Sequence, residues 1–164
     1  LILPGVGNFS KGILNLEKYN YIDALNKKVL GDKIPILGIC LGMQLFSNFS
    51  DEGGSKGLGW IDSKVTKFKI NNKLKWKIPH IGWNSIDINK RNNNLLKNLT
   101  NNCMFYFVHS YHMICNDTLD ILTFSTYESS FVSSINKKNI YGTQFHPEKS
   151  HDDGFSLIKN FILI

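Results

Sequence analysis

The feature that most constrains this chain is Gly38-Ile39-Cys40-Leu41-Gly42, a Gly-x-Cys-x-Gly turn after an apolar run. The run Ile34–Ile39 shows no polar alternation, which is typical of a central parallel strand buried on both faces. A sharp strand-to-helix turn flanked by glycines strains its central residue and presents the side chain, as in a nucleophile elbow. The helix N-terminus that follows favours the thiolate, the form of cysteine that attacks. The alternative is a buried cysteine at a tight turn.

The rest of the first half alternates predicted strands and helices. Leu1–Leu3 is a short buried strand that ends in the glycine-rich turn Pro4–Asn8. Ser10 is expected to cap a helix over Lys11–Val29, and another helix is expected over Leu41–Phe49. Strands and helices in this order imply a right-handed βαβ unit and an α/β sheet with helices packed on it.

The second half is β-rich, and its Asn- and Lys-rich turns indicate antiparallel hairpins. The predicted strands are Ser63–Ile70, Trp83–Ile88, Met104–Val108, Tyr111–Cys115, Leu122–Thr126, Phe131–Ile135 and Ile140–Phe145. A last helix is expected over Asp152–Ile164, with Phe155, Ile158 and Ile162 facing the core and Phe161 beside them. The chain shows neither repeat nor linker, so residues 1–164 are expected to form one domain whose central, mostly parallel sheet carries an antiparallel extension.

Composition excludes several classes of function. A chain of 164 residues with 42% hydrophobic and 20% charged residues is the size of one globular domain. Arg91 is the single arginine among 19 basic residues and the lysines are scattered, so the net charge of +6 does not indicate a nucleic-acid surface. The apolar stretches are far shorter than the roughly 20 residues of a membrane span, so no membrane partner is expected.

The cysteines favour a reducing compartment. The three cysteines are odd in number and form no Cys-x-x-Cys pair, which argues against a disulfide framework and against a zinc site. We therefore expect a cytoplasmic protein, with Cys103 and Cys115 as core or edge thiols.

Outside the candidate base discussed next, the histidines suggest structural roles. His109 and His112 are three positions apart in strand-like sequence and are expected on opposite faces, so they would not share a metal. His151 and the acidic pair Asp152–Asp153 are expected to cap the last helix. We expect neither a metal nor a cofactor.

A cysteine nucleophile needs a base, and His146 is the candidate that the strand order favours. It stands at the end of Ile140–Phe145, and the strand ends of a doubly wound sheet gather functional groups along one edge. The next residue, a proline, stiffens the backbone before Glu148, which would orient the imidazole. An isolated His-Pro-Glu is also typical of a surface turn. The oxyanion formed during acyl transfer would be stabilised by the Leu41 N–H and by a glycine N–H of Pro4–Gly7.

Together these motifs resemble the class I (triad) glutamine amidotransferases. Gly38-Ile39-Cys40-Leu41-Gly42-Met43-Gln44 resembles the family's nucleophile motif, and Gln144-Phe145-His146-Pro147-Glu148 resembles its His-Pro-Glu motif. Within the class, further segments are similar to the glutaminase subunits of imidazole glycerol phosphate synthases: Leu3–Phe9, Pro79–Asn84, Tyr106–Tyr111 and Pro147–Ser150. The resemblance implies a flavodoxin-like three-layer sandwich, and the absence of the family's opening strand-helix-strand implies a truncated N-terminus.

The resemblance also implies roles for individual residues. The catalytic triad would be Cys40, His146 and Glu148. The oxyanion donors would be Gly7 and Leu41. Glutamine would be held by Gly5, Gly42, Gln44, Ser110 and Tyr111. The residues facing a synthase subunit, along the passage for ammonia, would be His80, Trp83, Asn84, Tyr106, His109 and Lys149, although Trp83 and Tyr106 would also suit a core.

The implied reaction releases ammonia from glutamine. Cys40 would attack the side-chain amide, His146 would protonate the departing ammonia, and water would hydrolyse the glutamyl thioester. Within a heterodimer, the ammonia would pass to a cyclase subunit of the β/α-barrel type, which forms imidazole glycerol phosphate and an aminoimidazole carboxamide ribotide in histidine synthesis. Because the partner organises the oxyanion strand in this family, we expect low activity from the chain alone.

Some sequence features leave open which acceptor receives the ammonia and whether the chain is a glutaminase. Gly57-Leu58-Gly59-Trp60-Ile61-Asp62 and the Ser150–His151 pair resemble paralogues that supply ammonia to sugar amidotransferases of surface-polysaccharide synthesis. Another alternative is a catalytically silent binding module on the same fold, which would not need the whole triad. A further one is a cysteine peptidase of similar fold, which Gln44 and Ser110–Tyr111 disfavour.

Overall fold

The computed structural model describes residues 1–90 and 92–164. Its α-helices are α1 (Phe9–Lys18), α2 (Tyr21–Asn26), α3 (Leu41–Gln44) and α4 (His151–Ile162). Its strands are β1 (Ile2–Gly5), β2 (Ile36–Cys40), β3 (Phe49–Ser50), β4 (Ser55–Lys56), β5 (Ser63–Lys67), β6 (His80–Ser85), β7 (Asp87–Ile88), β8 (Met104–His109), β9 (Tyr111–Cys115), β10 (Ile121–Tyr127), β11 (Ser129–Lys137) and β12 (Ile140–Thr143). Short helical segments of other types are a π-helix over Lys27–Gly31 and 3-10 turns over Asn94–Leu96, Thr118–Asp120 and Pro147–Lys149. None of the helices in the described ranges is long and apolar enough to span a membrane.

The largest sheet has the strand order β1-β2-β12-β11-β10-β7. β1, β2 and β12 run parallel, and β11, β10 and β7 continue the sheet antiparallel. The α/β class and the antiparallel extension are therefore confirmed, although the parallel part is no larger than its extension. Smaller sheets, β4-β3-β5-β9 and β6-β8, contain the other strands named above.

Helical segments cover both faces of β2 and β12, because these two strands bury side chains on both sides. The edge strand β1 has no fully buried residue, so the prediction of a buried first strand is wrong. Every residue of β2 is buried. Leu37 packs in one cluster with Leu157 and Phe161 of α4. On the other face, Ile36 packs in a cluster with Val29 of the π-helical segment. This arrangement is the expected sandwich of helices, sheet and helices.

Two glycines let β1, β2 and α3 approach closely at the predicted elbow. A Cβ at Gly42 would lie 1.8 Å from the Leu3 carbonyl oxygen, and a Cβ at Gly38 would lie 2.7 Å from the Met43 nitrogen. Between them Cys40 has φ 52° and ψ −107°, a conformation that residues with a Cβ rarely adopt. The strand-turn-helix predicted around Cys40 is confirmed.

The predicted helix over residues 11–29 is wrong, because the chain is interrupted in its middle. α1 begins after Asn8, whose Oδ1 accepts from the Lys11 N–H at 3.1 Å, so the cap is Asn8 and not Ser10. It ends at Lys18, since Asn20 adopts the left-handed conformation with φ 55° that asparagine tolerates better than most residues. The residues that follow form α2 and the π-helical segment.

α3 and β12 are also shorter than predicted. α3 ends at Gln44 instead of Phe49, because the chain then turns to join the second sheet, where the Asn48 N–H donates to the Ser63 carbonyl at 3.0 Å. β12 ends at Thr143, although the following Gln144 N–H still donates to the Ser133 carbonyl of β11 at 2.8 Å. Both ends lie beside Cys40 and shape its surroundings.

α4 lies close to where it was predicted, and Phe161 faces the core as expected, but the rest of its buried face differs from the prediction. Its buried residues are Gly154, Leu157 and Phe161, whereas Phe155 and Ile162 are 68% and 72% exposed. A Cβ at Gly154 would lie 1.9 Å from the Pro147 carbonyl oxygen, so this glycine permits the close approach that fixes the inward face. The sequence of this helix contains two neighbouring apolar stripes, and Gly154 determines which of them packs against the core.

We predict that Gly42→Ala is strongly destabilising because the added Cβ would strike the backbone of β1. The free energy of unfolding, measured in urea, should fall by about 3 kcal/mol or more. Gly31→Ala is the matched control, since nothing lies within 4 Å of its added Cβ and its φ is not in the left-handed region. Equal stability of the two variants would contradict the close approach.

Candidate active site

The parallel pairing of β1, β2 and β12 brings their carboxyl ends to one edge of the sheet. Gly5 pairs with Cys40, and Ile39 pairs with Thr143. The residues that follow these ends are the Val6–Gly7 turn, the elbow at Cys40, and the segment that leads to His146. Functional groups commonly gather at this edge in sheets of this kind.

Cys40 is buried, with 7% of its surface exposed. Burial raises the pKa of its thiol from 9.0 to about 11, although hydrogen bonds from the Leu41 backbone and the Gln144 side chain lower it. A helix N-terminus was expected to favour the thiolate of Cys40, but burial keeps the thiol protonated in this state. The helix that follows, α3, spans only Leu41–Gln44.

His146 and Glu148 are already arranged as a base and its orienting acid. His146 Nδ1 lies 2.7 Å from Glu148 Oε1, and because a carboxylate accepts, Nδ1 is the donor, which leaves Nε2 as the nitrogen that can exchange a proton with the substrate side. The His146 backbone is held by its N–H, which donates to the Tyr106 carbonyl at 2.9 Å, and by its carbonyl, which accepts from Ser150 Oγ at 2.6 Å. Within residues 1–90 and 92–164, Nε2 is buried and has no hydrogen-bond partner, so the bond from nucleophile to base is not formed.

Cys40 and His146 line different cavities. The larger cavity, about 440 Å³, is lined by Cys40 and by residues that include Val6, Gly7, Leu41, Gln44, Ser110 and Tyr111. The smaller one, about 250 Å³, is lined by Pro4, Gly5, Val6, Ile39, His146 and Glu148. Val6 lines both, so the turn that follows β1 borders the cavity of the nucleophile and the cavity of the base.

Of the residues predicted to hold glutamine, Gln44, Ser110 and Tyr111 line the larger cavity. Gly42 does not: it is buried under the Leu3 carbonyl and serves the packing of the elbow. Gly5 lines the smaller cavity and so is not part of this pocket. The resemblance assigned both glycines to glutamine binding together with Gln44, whereas close packing explains why the structure needs glycine at these positions.

The predicted oxyanion donors both border the larger cavity. Gly7 has φ 100°, and a Cβ there would meet nothing within 4 Å, so its backbone conformation rather than crowding requires glycine. Leu41 follows Cys40 directly, and its backbone already contributes to the electrostatics of the sulfur.

Glu52 lines the same cavity and was missed in the sequence. Its Oε2 accepts from the Phe9 N–H at 2.7 Å, which holds the carboxylate at the start of α1. It is the single carboxylate among the residues that line this cavity. The available signal was an acidic pair, Asp51–Glu52, immediately before Gly53–Gly54 in a loop at the catalytic edge.

Trp83, Tyr106 and Lys149 form an outer face next to His146. Trp83 is 45% exposed and stacks on His151, with ring centroids 5.1 Å apart and an angle of 6° between the planes. Lys149 Nζ lies 6.0 Å from the centre of the Tyr106 ring. His151 therefore packs on Trp83 and does not cap α4, whose N-cap residue makes no side-chain hydrogen bond.

The remaining members of the predicted partner surface have internal contacts. Asn84 Nδ2 donates to the Thr126 carbonyl at 2.9 Å, and Asn84 is only partly buried.

The acidic pair predicted to cap α4 stands in its first turn as expected. Asp153, however, accepts from the Met104 N–H at 2.7 Å and so connects the helix to β8.

His80 and His109 were expected to face a partner and are instead buried, with 3% and 6% exposed. His80 Nδ1 lies 3.1 Å from His109 Nε2, and His109 Nδ1 donates to the Tyr111 carbonyl at 2.8 Å. The expectation of opposite faces for His109 and His112 is also wrong. The strand breaks at Ser110, so both rings pack against Phe68, at 5.1 and 4.7 Å.

This cluster is aromatic and not a metal site. Among residues 1–90 and 92–164, no group of three His, Cys, Asp or Glu side chains is placed to hold a metal ion. Burial lowers the pKa of His80 to about 4 and that of His109 to about 3, and it also lowers the pKa of His112. The rings are therefore neutral at neutral pH.

These lowered pKa values predict a loss of stability in mild acid. In the unfolded chain the same rings have a pKa near 6.5, so between pH 7 and pH 5 the unfolded state binds more protons than the folded state. The free energy of unfolding should fall by about 2 kcal/mol for each of His80 and His109 over this range. Urea titrations at several pH values would measure it, with His151→Gln as a control that keeps the slope; a flat profile would contradict the prediction.

The comparisons with known proteins agree on one family. A family model described as class-I glutamine amidotransferase matches residues 1–164. The chain is 55% identical over 162 residues to the imidazole glycerol phosphate synthase subunit HisH 2 of Methanococcus maripaludis, which covers 99% of this chain and 79% of that protein. It is 46% identical over 162 residues to the subunit HisH of Leptospira borgpetersenii, with 98% and 79% covered. The glutaminase domain of Trypanosoma brucei CTPS with bound acivicin shares the fold, with a TM-score of 0.64 at 17% identity over 99% of this chain and 70% of that one.

Proposed function

Since the chain belongs to the class-I glutamine amidotransferases, we propose that it is the glutaminase subunit of an imidazole glycerol phosphate synthase in histidine biosynthesis. It hydrolyses glutamine to glutamate and passes the ammonia to a cyclase subunit. The observation that carries the proposal is the cysteine elbow at the same sheet edge as the His146–Glu148 pair. A binding module would not need an imidazole oriented by a carboxylate at the same sheet edge as a strained cysteine.

The proposed mechanism uses Cys40, His146 and Glu148 in turn. His146 Nε2 takes the thiol proton while the sulfur attacks the carboxamide carbon of glutamine. The oxyanion accepts from the Leu41 N–H and from a backbone N–H of the Gly7 turn. His146 then protonates the leaving ammonia, and water attacks the thioester to give glutamate and restore the thiol. Glu148 keeps the imidazole in its tautomer throughout.

The larger cavity supplies the glutamine site. Gln44, Ser110 and Tyr111 form one wall, and Glu52 provides the negative charge for the α-ammonium group of the substrate. A cavity of about 440 Å³ suits a small molecule of this size. The side-chain amide then points to Cys40, which lines the same cavity.

Several features of the described chain favour low activity until a partner binds. The pKa of the Cys40 thiol is about 11, so little thiolate exists at neutral pH. His146 lines the smaller cavity and not the larger one, and its Nε2 bonds to nothing among the described residues. A partner that moves Val6 and Gly7 would join the two cavities and complete the oxyanion site.

The partner is a cyclase subunit of the β/α-barrel type, bound as a heterodimer. The face formed by Trp83, Tyr106, Lys149 and His151 suits this contact because it is partly exposed, rich in aromatic rings and adjacent to the catalytic histidine. Ammonia released at Cys40 reaches the cyclase and gives imidazole glycerol phosphate and aminoimidazole carboxamide ribotide.

One of the two sequence features that suggested a sugar amidotransferase partner, the segment Gly57–Asp62, has a packing explanation. Trp60 and Ile61 are buried, Trp60 stacks on Phe46 with ring centroids 5.0 Å apart, and its Nε1 donates to Asn26 Oδ1 at 2.8 Å. The segment lines neither cavity described above. It therefore does not favour a different acceptor.

The central test is glutamate release by the chain mixed with its cyclase and acceptor. Cys40→Ala should lower the rate by at least about a thousandfold, because nothing else can form the thioester. Cys115→Ala is the matched control and should keep the rate. A Cys40→Ala protein that still hydrolyses glutamine would refute the mechanism.

The same assay distinguishes the alternatives. Stimulation only by a sugar amidotransferase would keep the chemistry and change the acceptor. Silence with both partners, together with no labelling of Cys40 by a glutamine-analogue electrophile, would favour the binding module. Hydrolysis of a peptide but not of free glutamine would favour the peptidase.

Glu52→Gln should raise the KM for glutamine about tenfold to a hundredfold with a smaller effect on kcat, because a charge-assisted contact to the bound substrate is lost. Asp51→Asn is the matched control, since Asp51 pairs with Lys64 at 2.8 Å on the surface and does not line the cavity. Steady-state kinetics of the complex would measure both. Equal KM values for the two variants would exclude Glu52 from the glutamine site.

A further inference from the structure

Gln144 is a fully buried polar residue that the mechanism above does not use. It follows β12, and its backbone N–H donates to the Ser133 carbonyl at 2.8 Å, so its main chain continues the sheet. The Gln144 side chain contacts both Gln44 and Cys40. Gln144 Oε1 lies 2.9 Å from Gln44 Nε2, and Gln144 Nε2 lies 3.6 Å from Cys40 Sγ.

The direction of these hydrogen bonds is fixed by the Tyr111 carbonyl, which can only accept. Gln44 Nε2 donates to that carbonyl at 3.0 Å, and the same amide group also faces Gln144. Gln144 must therefore present its oxygen to Gln44, which leaves its NH2 group for the sulfur of Cys40. His109 Nδ1 donates to the same carbonyl at 2.8 Å and helps to hold this wall of the cavity.

We propose that Gln144 is a positioning residue that holds the Cys40 sulfur and donates a hydrogen bond to its thiolate during glutamine hydrolysis. The inference rests on the proposed glutaminase function. His146 does not perform this task in the described state, since its Nε2 has no partner within residues 1–90 and 92–164. A donor that stays on the sulfur favours the charged form, and it leaves His146 free to carry the proton to ammonia.

Burial makes this donor more important than it would be at a surface. The sulfur has lost almost all contact with water, so a thiolate there depends on the donors that the protein supplies. The Gln144 contact acts to lower the pKa of Cys40, against the rise caused by burial. Because Gln44 holds Gln144 and also lines the glutamine cavity, the nucleophile is linked to the substrate wall by consecutive hydrogen bonds.

The test is the pH dependence of Cys40 alkylation by iodoacetamide in the full chain, followed peptide by peptide by mass spectrometry. Gln144→Met removes the donor at nearly constant volume, and Gln144→Glu keeps the acceptor for Gln44 but replaces the donor by a negative charge. We expect the apparent pKa of Cys40 to rise in both, and alkylation below that pKa to slow about three- to tenfold in the Met variant and more in the Glu variant. In the complex, kcat should fall more than KM changes.

Two controls separate this effect from a loss of packing. Thr143→Val removes a neighbouring buried hydrogen bond, from Thr143 Oγ1 to the Phe145 carbonyl at 3.1 Å, without touching Cys40, and should leave the pH profile unchanged. Alkylation of Cys115 in the same samples should be the same in every variant. A folded Gln144→Met protein with the wild-type Cys40 profile would overturn the proposal.

A measurement on the unaltered protein covers the case in which Gln144→Met does not fold. The side-chain amide resonances of Gln144 should shift when Cys40 is alkylated and should titrate together with its thiol; resonances that do neither would overturn the proposal. Alkylation needs no glutamine, so these results do not depend on turnover. A chain that shows the Gln144 effect but releases no glutamate with any partner would instead refute the proposed function.

Discussion

The structure depends on the contact between the backbone of β1 and the first turn of α3. The Leu3 carbonyl occupies the space that a side chain at Gly42 would need, and a side chain at Gly38 would collide with Met43 of α3 and with Phe46. With no side chains in the way, strand and helix meet so closely that Cys40 is forced into a left-handed conformation at the sheet edge. The position of the nucleophile is thus a result of backbone packing, and the same packing explains why the motif needs glycines on both sides of the cysteine.

Burial then determines the electrostatic state of the site. Cys40 and the His80–His109 pair are nearly removed from water. Under these conditions the neutral forms of the thiol and of these two imidazoles are favoured, and each group depends on the few donors and acceptors around it. The described chain therefore combines a protonated thiol with a histidine that Glu148 already orients but that does not yet bond to the sulfur. In the proposed enzyme, the energy needed to charge the sulfur would come from binding glutamine and the partner.

The parts of the site that the sequence could predict are those encoded by local patterns. The apolar run before Cys40 and the His-Pro-Glu after β12 are contiguous motifs, and parallel strand order was enough to bring them to one edge. Tertiary packing decided the rest. Asn20 interrupts a sequence with continuous helical spacing, and Gly154 selects one of two apolar stripes on α4. His80 is buried by contacts with residues distant in sequence, such as Tyr127, which no periodicity reveals. Glu52 was missed because its role depends on which cavity its loop borders.

The division of the site into two cavities that share Val6 has a consequence for how the cell uses nitrogen. Glutamine could occupy the larger cavity of the free subunit and contact Cys40 while His146, which lines the other cavity, forms no bond to the sulfur. Binding of glutamine and its hydrolysis would then be separate events, and a free subunit saturated with glutamine would still release no ammonia. The partner would act on a loaded subunit, so ammonia would be produced only where an acceptor subunit is present to consume it.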